Sequence, residues 1–388
     1  MTTFYGSRSA PVHSTFRGRG RWTGLSSLIT WGGVAVAVAG CGSTAGSSDS
    51  VSPPADIAPQ ALCERIDRAL THARDDRLLD ARVNGAWQVV HGILAFGDEL
   101  PLATAEGKRH ALPWLLGGGS LRGWRVRKGS QGLVATIEEG STTGQGHPDQ
   151  WIGYLAQCGL DGLPVDTPIS VNGSPYTLRD LLAQARADIR PGREATWTLM
   201  ALAAWVPPDD AWTAADGRRW TVEDVVTMEA AADIDGAACG GCHRLYGLVT
   251  ALDAHRAAQR AAGLADPVLR GGWADAANRI EDCIEIARRH QQPDGSFSVH
   301  FFERPGTSVD LFARLGATGH IFEFLVAALD DQRLAEPWIT RAAERLVTLL
   351  EQSADVDVEC GALYHAAHGL RLYRERVCGP TAADPPAE

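Results

Sequence analysis

The chain has 388 residues, 45% hydrophobic and 21% charged, which is long enough to bury one large core or two small ones. Its formal net charge is −11, and the first 40 residues hold Arg8, Arg17, Arg19 and Arg21 with no acid. Without those four, 36 Lys and Arg become 32 against 47 acids, a net charge of −15. So acidic a body excludes nucleic acid as a partner, because phosphates demand basic patches.

In chain order, the basic stretch "FRGRGRW" precedes "LSSLITWGGVAVAVAGCGSTAGSSDS", a short apolar run that ends in small residues and a polar tether. Residues 1–40 are expected to be a signal peptide and 41–55 a flexible tether. "VAGC", Val38 to Cys41, resembles the lipobox of bacterial lipoproteins. The resemblance implies cleavage before Cys41, attachment of lipid such as palmitate to that cysteine, and a membrane-anchored body in the periplasm or at the cell surface. The alternative is an uncleaved anchor helix, for which the apolar run falls short of the ~20 residues of a span. Export would expose the remaining seven cysteines to oxidising conditions. Spacing assigns no pairs among them, and Cys158 and Cys283, in apolar helical runs, read as buried inert thiols.

From Asp56 to Cys378 helical patterns alternate in two kinds. "ALCERIDRALTHARDD", "TLRDLLAQARADIR", "TVEDVVTMEAAADI", "WADAANRIEDCIEIARRHQ" and "PWITRAAERLVTLLEQS" mix charged and apolar residues at three-to-four spacing. Each is followed by a more apolar run: "NGAWQVVHGILAFG", "ATWTLMALAAWV", "CGGCHRLYGLVTALDAH", "GATGHIFEFLVAAL" and "CGALYHAAHGLRLY". A further apolar helix, "HPDQWIGYLAQCG", follows a Gly-rich insertion at 101–146. Strands are expected only as decorations, in "ISVNGSPYT" with its Asn172-Gly173 turn and in "WRVRKGSQGLVATIEE". The expectation is an all-α protein, an α/α toroid of about six outer–inner helix pairs over residues 56–378 with small β-hairpin insertions and a disordered tail at 379–388. An open helical superhelix is the competing arrangement.

"QQPDGSFSVHFF", Gln291 to Phe302, resembles the Asp-Gly-aromatic turn of the terpenoid cyclase and protein prenyltransferase superfamily, whose squalene-cyclase repeats build such toroids. The resemblance implies the fold and a turn between an outer and an inner helix. It does not extend to known chemistry: "DVDVE", Asp355 to Glu359, is similar to the Asp-x-Asp-Asp acid motif of squalene-type cyclases, but Val358 stands in place of the last Asp. The Gly-Cys-Gly-Glu-Gln stretch of thioester domains is absent.

"CGGCH" at Cys239–His243 spells the c-type haem attachment motif, and an exported chain is where haem is attached. No methionine follows it as an axial ligand. Cys239 and His243 also share one helix face at i, i+4, as His365 and His368 do at i, i+3, which suits a metal. Toroids of the prenyltransferase and lanthionine synthetase kind hold zinc through mixed Cys, His and Asp ligands; the cofactor is left open, with zinc through Cys239, Cys242, His243 and His368 as one candidate and haem c as a weaker one. The bland reading is a small-residue helix start with core cysteines and a satisfied histidine.

"GHPDQW", "GCHRLYG", "TGHIFEF" and "LYHAAHG" each place histidine at or near the start of an apolar helix. Parallel inner helices would gather these at one rim. His147, Asp149, His243, His320, Glu323 and His365 are therefore the candidate catalytic residues of a His-lined pocket, imidazoles suiting acid–base work near neutral pH. Pro148 fits a first helical position and Asp149 the positive end of a helix. The expected function is to bind an envelope polymer or an isoprenoid-like ligand, with its processing left open; a non-catalytic scaffold of the same fold is the alternative.

Overall fold

Helix follows helix along the chain, because apolar residues recur at three-to-four spacing and each run is closed by a cap, a glycine or a hairpin. The computed structural model describes residues 59–137, 147–264 and 268–379. The expected signal peptide, the lipidation site Cys41, the tether, part of the insertion (138–146) and the tail from 380 on lie outside the described residues. Among the described residues there are 13 helices and only short strands, so the protein is predominantly helical.

The chain opens with α1 (Pro59–Thr71), which runs into a turn of π-helix at His72–Asp76. Strand β1 (Leu79–Asp80) leads to α2 (Ala86–Phe96), buried at nine of its eleven positions. The insertion contributes β2 (Pro101–Thr104), β3 (Gly107–His110), a six-residue α3 (Ala111–Leu116), and the β4–β5 hairpin (Trp124–Lys128, Leu133–Ile137). Next come α4 (Gln150–Leu155), the β6–β7 hairpin (Pro168–Val171, Ser174–Thr177), α5 (Leu178–Asp188) and α6 (Thr196–Trp205). A β8–β9 hairpin (Ala211–Thr213, Arg219–Thr221) precedes α7 (Val222–Ala231), followed by α8 (Cys242–Ala261) and α9 (Gly271–His290). The chain ends with α10 (Leu311–Ala328), the short α11 (Asp331–Leu334), α12 (Pro337–Gln352) and α13 (Cys360–Cys378).

Helices α2, α4, α6, α10 and α13 and the first half of α8 bury most of their surface, whereas α1, α5, α9 and α12 bury one face. Contacts follow that division. Helix α2 packs on α4, α4 on α6, α6 on α8, α8 on α10, α10 on α13, and α13 on α2. Of the amphipathic helices, α5 lies against α4 and α6, α7 against α6, α8 and α9, α9 against α8 and α10, and α12 against α10 and α13. Cys63 in α1 and Cys378 at the end of α13 form a disulfide, while Cys158 and Cys283 are free and buried.

The turn at Asn172-Gly173 has both residues left-handed (φ 52° and 77°), as a two-residue hairpin requires, and joins β6 to β7 in register. The β4–β5 hairpin forms in the expected "WRVRKGSQGLVATIEE", whereas β8–β9 has no counterpart among the expected strands. The β6–β7 and β8–β9 hairpins run directly into helices through a threonine: Thr177 and Thr221 sit at the helix starts, each bonded to an aspartate three residues on. The "QQPDGSF" segment lies between α9 and α10. Gln291 donates to the Trp338 carbonyl at 2.8 Å, Arg345 approaches Asp294 at 3.3 Å, and Phe297 is buried against Thr318 and Trp338.

Two boundaries differ from expectation. "TGHIFEF" is not a helix start, because α10 begins nine residues before His320 at Leu311, capped by the Asp310 carboxylate. Gly316, where the expected run "GATGHIFEFLVAAL" begins, and Gly319 lie inside α10, where it approaches Ala362 and Ala366 of α13. Helix α4 starts only at Gln150, so Pro148 is not its first residue. Asp149 precedes it in a left-handed conformation (φ 61°) without capping it.

Candidate functional site

The site grows from the start of α8. Cys239, Gly240 and Gly241 are successive left-handed residues (φ 50°, 59° and 81°). Gly240 is obligatory here, since a Cβ would run into the Phe301 side chain. Cys239 has no such exemption, and a non-glycine residue held left-handed is a strain that clusters at functional sites. The consequence is an exposed Cys239 beside His243, the second residue of α8.

Next to it opens a cavity of about 590 Å³. Trp87 and Trp197 supply aromatic walls, Gln88, Gln150 and Glu359 polar ones, and His91, His147, His243, His320 and Cys239 the reactive groups. His243, His320 and His365, from three helices, come together with ring centroids 4.2–5.2 Å apart. Donor atoms of Cys239, His243 and His320 all lie within 4.8 Å of one another, a set able to hold a metal ion.

Beneath the cavity floor is a closed polar network. Glu323 is buried and accepts from Nδ1 of His365 at 2.8 Å and of His368 at 2.5 Å. Nε2 of His365 and of His91 both meet the Tyr154 hydroxyl at 3.2 Å, and His91 Nδ1 meets the Trp87 carbonyl at 2.6 Å. Burial drives the His91 and His243 imidazoles well below their ordinary range, each assisted by neighbouring His365. Burial also takes His365 down to about 4, against the pull of Glu323. At His320 burial is overcome by the adjacent Cys239, with help from Glu323, and the group rises to about 9. Burial opposes ionisation of Glu323, but His365 and His368 hold its carboxyl well below the usual range.

Of the residues singled out from the sequence, His147, His243, His320 and Cys239 line the cavity. His365, Glu323 and His368 do not. They form the network behind it, and His368 spends its second nitrogen on the Gly159 carbonyl at 3.2 Å. Cys242 is 2% exposed in the hydrophobic core, its thiol pushed well up by burial, and stands outside the metal-binding group. Asp149 turns aside to accept from the Thr198 hydroxyl at 2.5 Å, and burial raises its carboxyl. His147 pairs Nδ1 with Glu194 at 2.9 Å and stacks on Trp197 at 4.4 Å.

Four participants escaped the sequence reading: His91, Tyr154, Glu194 and Trp197. His91 sits mid-helix in "WQVVHG", where the search for histidines at helix starts passed over it. Glu194 is in the α5–α6 loop and carries no motif. The polar residue interrupting an otherwise apolar α2 was the available signal. No model of a known protein family matches the chain, and no curated protein matches it.

Proposed function

We propose that the protein is an exported, lipid-anchored α/α toroid that binds a segment of an envelope or extracellular glycan in its central cavity and acts on it by acid–base chemistry through His147. Support for the toroid is the cyclic order of the six buried helices, each touching its two neighbours and the last touching the first. The "QQPDGSF" turn on an outer-to-inner connection supports a place beside the terpenoid cyclase and prenyltransferase superfamily. "VAGC" supports lipidation at Cys41, and the Cys63–Cys378 bond suits an oxidising compartment.

The observation that carries the ligand class is the lining of the cavity. Trp87 offers a flat apolar face, while Trp197 is buried beneath His147, and Gln88, Gln150 and Glu359 stand nearby, a combination that suits a sugar ring edged with hydroxyls. With Nδ1 held by Glu194, His147 keeps Nε2 for a ligand proton. The non-catalytic scaffold is favoured by one fact, that the network around Glu323 is satisfied without any ligand. Haem c is disfavoured by Cys242, whose burial keeps its sulfur from a macrocycle in the cavity.

Calorimetric titration with soluble peptidoglycan fragments and acidic polysaccharide oligomers tests this. Binding of one class is expected, weakened roughly tenfold by Trp87→Ala, the size of one lost aromatic contact. Binding of a short-chain isoprenyl phosphate in place of every glycan, or identical affinity in the Trp87 variant, would remove the glycan reading.

A further inference from the structure

Four histidines line the cavity and two more, His365 and His368, stand in the network behind it, and their ring nitrogens are unequally engaged. His91, His365 and His368 each have both nitrogens bonded to protein groups. His147 commits Nδ1 to Glu194 and stands behind the Trp197 ring from the others. His320 donates Nδ1–H to the Gly316 carbonyl at 2.7 Å, which turns Nε2 to the sulfur of Cys239. His243 is only 5% exposed, yet among the described residues neither of its nitrogens has a hydrogen-bond partner. Its nitrogens open to the cavity it lines, where a ligand from outside the chain can reach them.

We propose that Cys239, His243 and His320 hold a zinc ion whose fourth coordination position faces the cavity. Their three donor atoms already fall within 4.8 Å of one another. Tetrahedral zinc, with bonds of about 2.0–2.3 Å, places its ligand atoms about 3.3–3.8 Å apart, so small side-chain rotations close the site. One thiolate with two imidazoles is a donor set for zinc and not for calcium or magnesium, which take oxygen ligands. Three protein ligands with one open position is the form of zinc sites that do chemistry, where the fourth place takes water or substrate. The left-handed Cys239 then has a purpose, since that conformation turns its thiol toward the two histidines. His320 bonded through Nδ1 to a carbonyl is the outer-shell arrangement of a metal-bound imidazole.

The inference does not rest on the glycan reading, and its test reads no glycan. The full chain, extracted in mild detergent under reducing conditions, is stripped of metal and titrated with zinc against a chromophoric chelator, then with cobalt. One equivalent of zinc is expected, and the cobalt form should show a thiolate-to-metal charge-transfer band with intense tetrahedral visible bands. Cys239→Ser should remove that band and lower zinc affinity by more than the roughly 10- to 100-fold typical of an outer-shell loss. Cys242→Ser and His368→Gln should keep the band. Cys239 is exposed, so its variant is the one least exposed to folding failure, and the cobalt spectrum of the unaltered chain needs no variant. A folded chain that takes up no zinc, a cobalt complex without a thiolate band, or a band lost with Cys242 and kept without Cys239 would each overturn the site.

Discussion

Asp149 combines a left-handed backbone with a half-buried carboxylate that has the Thr198 hydroxyl as its hydrogen-bond donor. Burial raises this carboxyl above its ordinary value, outweighing Thr198 and Arg193. A raised acid contributes stability below its unfolded value that is lost as pH rises through the folded-state value. Asn keeps the hydrogen-bonding shape and tolerates φ 61° better than most residues. Asp149→Asn should therefore raise the thermal midpoint at neutral pH, with the gain shrinking as the medium is acidified toward the carboxyl range. A variant less stable at every pH would show that the charge itself is needed. Residue-level spacing also explains what the sequence hid. The i, i+3 pair His365 and His368 was legible as two imidazoles on one helix face, but the acid they serve lies more than 40 residues away on another helix. Spacing within one helix cannot say whether such a pair faces a metal or a carboxylate.

Helices α10 and α13 come close enough for Glu323 to reach both histidines because small residues line their contact. A Cβ on Gly319 would lie 3.0 Å from the Ala366 backbone, whereas one on Gly316 would meet only the Ala362 methyl at 3.5 Å. Gly319→Val should cost about 1–3 kcal/mol in denaturant unfolding, the range of an overfilled core, because backbone cannot retreat as a side-chain tip can. Gly316→Ala should be neutral or stabilising by up to about 1 kcal/mol through helix propensity. Equal costs for the two would contradict the close approach. The alternation of amphipathic and apolar helices was readable because burial on one face or on all faces writes itself into periodicity. The start of α10 was not, since these glycines look the same in sequence whether they end a helix or admit a neighbour. The unanticipated β8–β9 hairpin was readable in principle, from "RWTVED" matching "PYTLRD" at the strand-to-helix junction.

For the molecule as a whole, α1 returns to the last helices. Arg374 pairs with Asp67 at 2.8 Å, Arg65 with Glu351 at 2.6 Å, and Cys63 is bonded to Cys378. Such exposed pairs add little each, so the covalent bond is the main tie. Replacing both cysteines by serine should lower unfolding stability by about 2–4 kcal/mol while leaving the cavity intact, measured by calorimetry beside the reduced parent protein. An unchanged midpoint would mean the helices close on their own. No spacing rule pairs cysteines 315 residues apart, which is why this closure was invisible in the sequence while the helices it joins were not. It also has a mechanical meaning. Tension applied between the two ends of the chain passes through a single sulfur–sulfur bond, so everything between residues 63 and 378 stays slack until that bond is reduced. A pull on the termini then becomes a test of redox state, with the full length of the body released only in the thiol form.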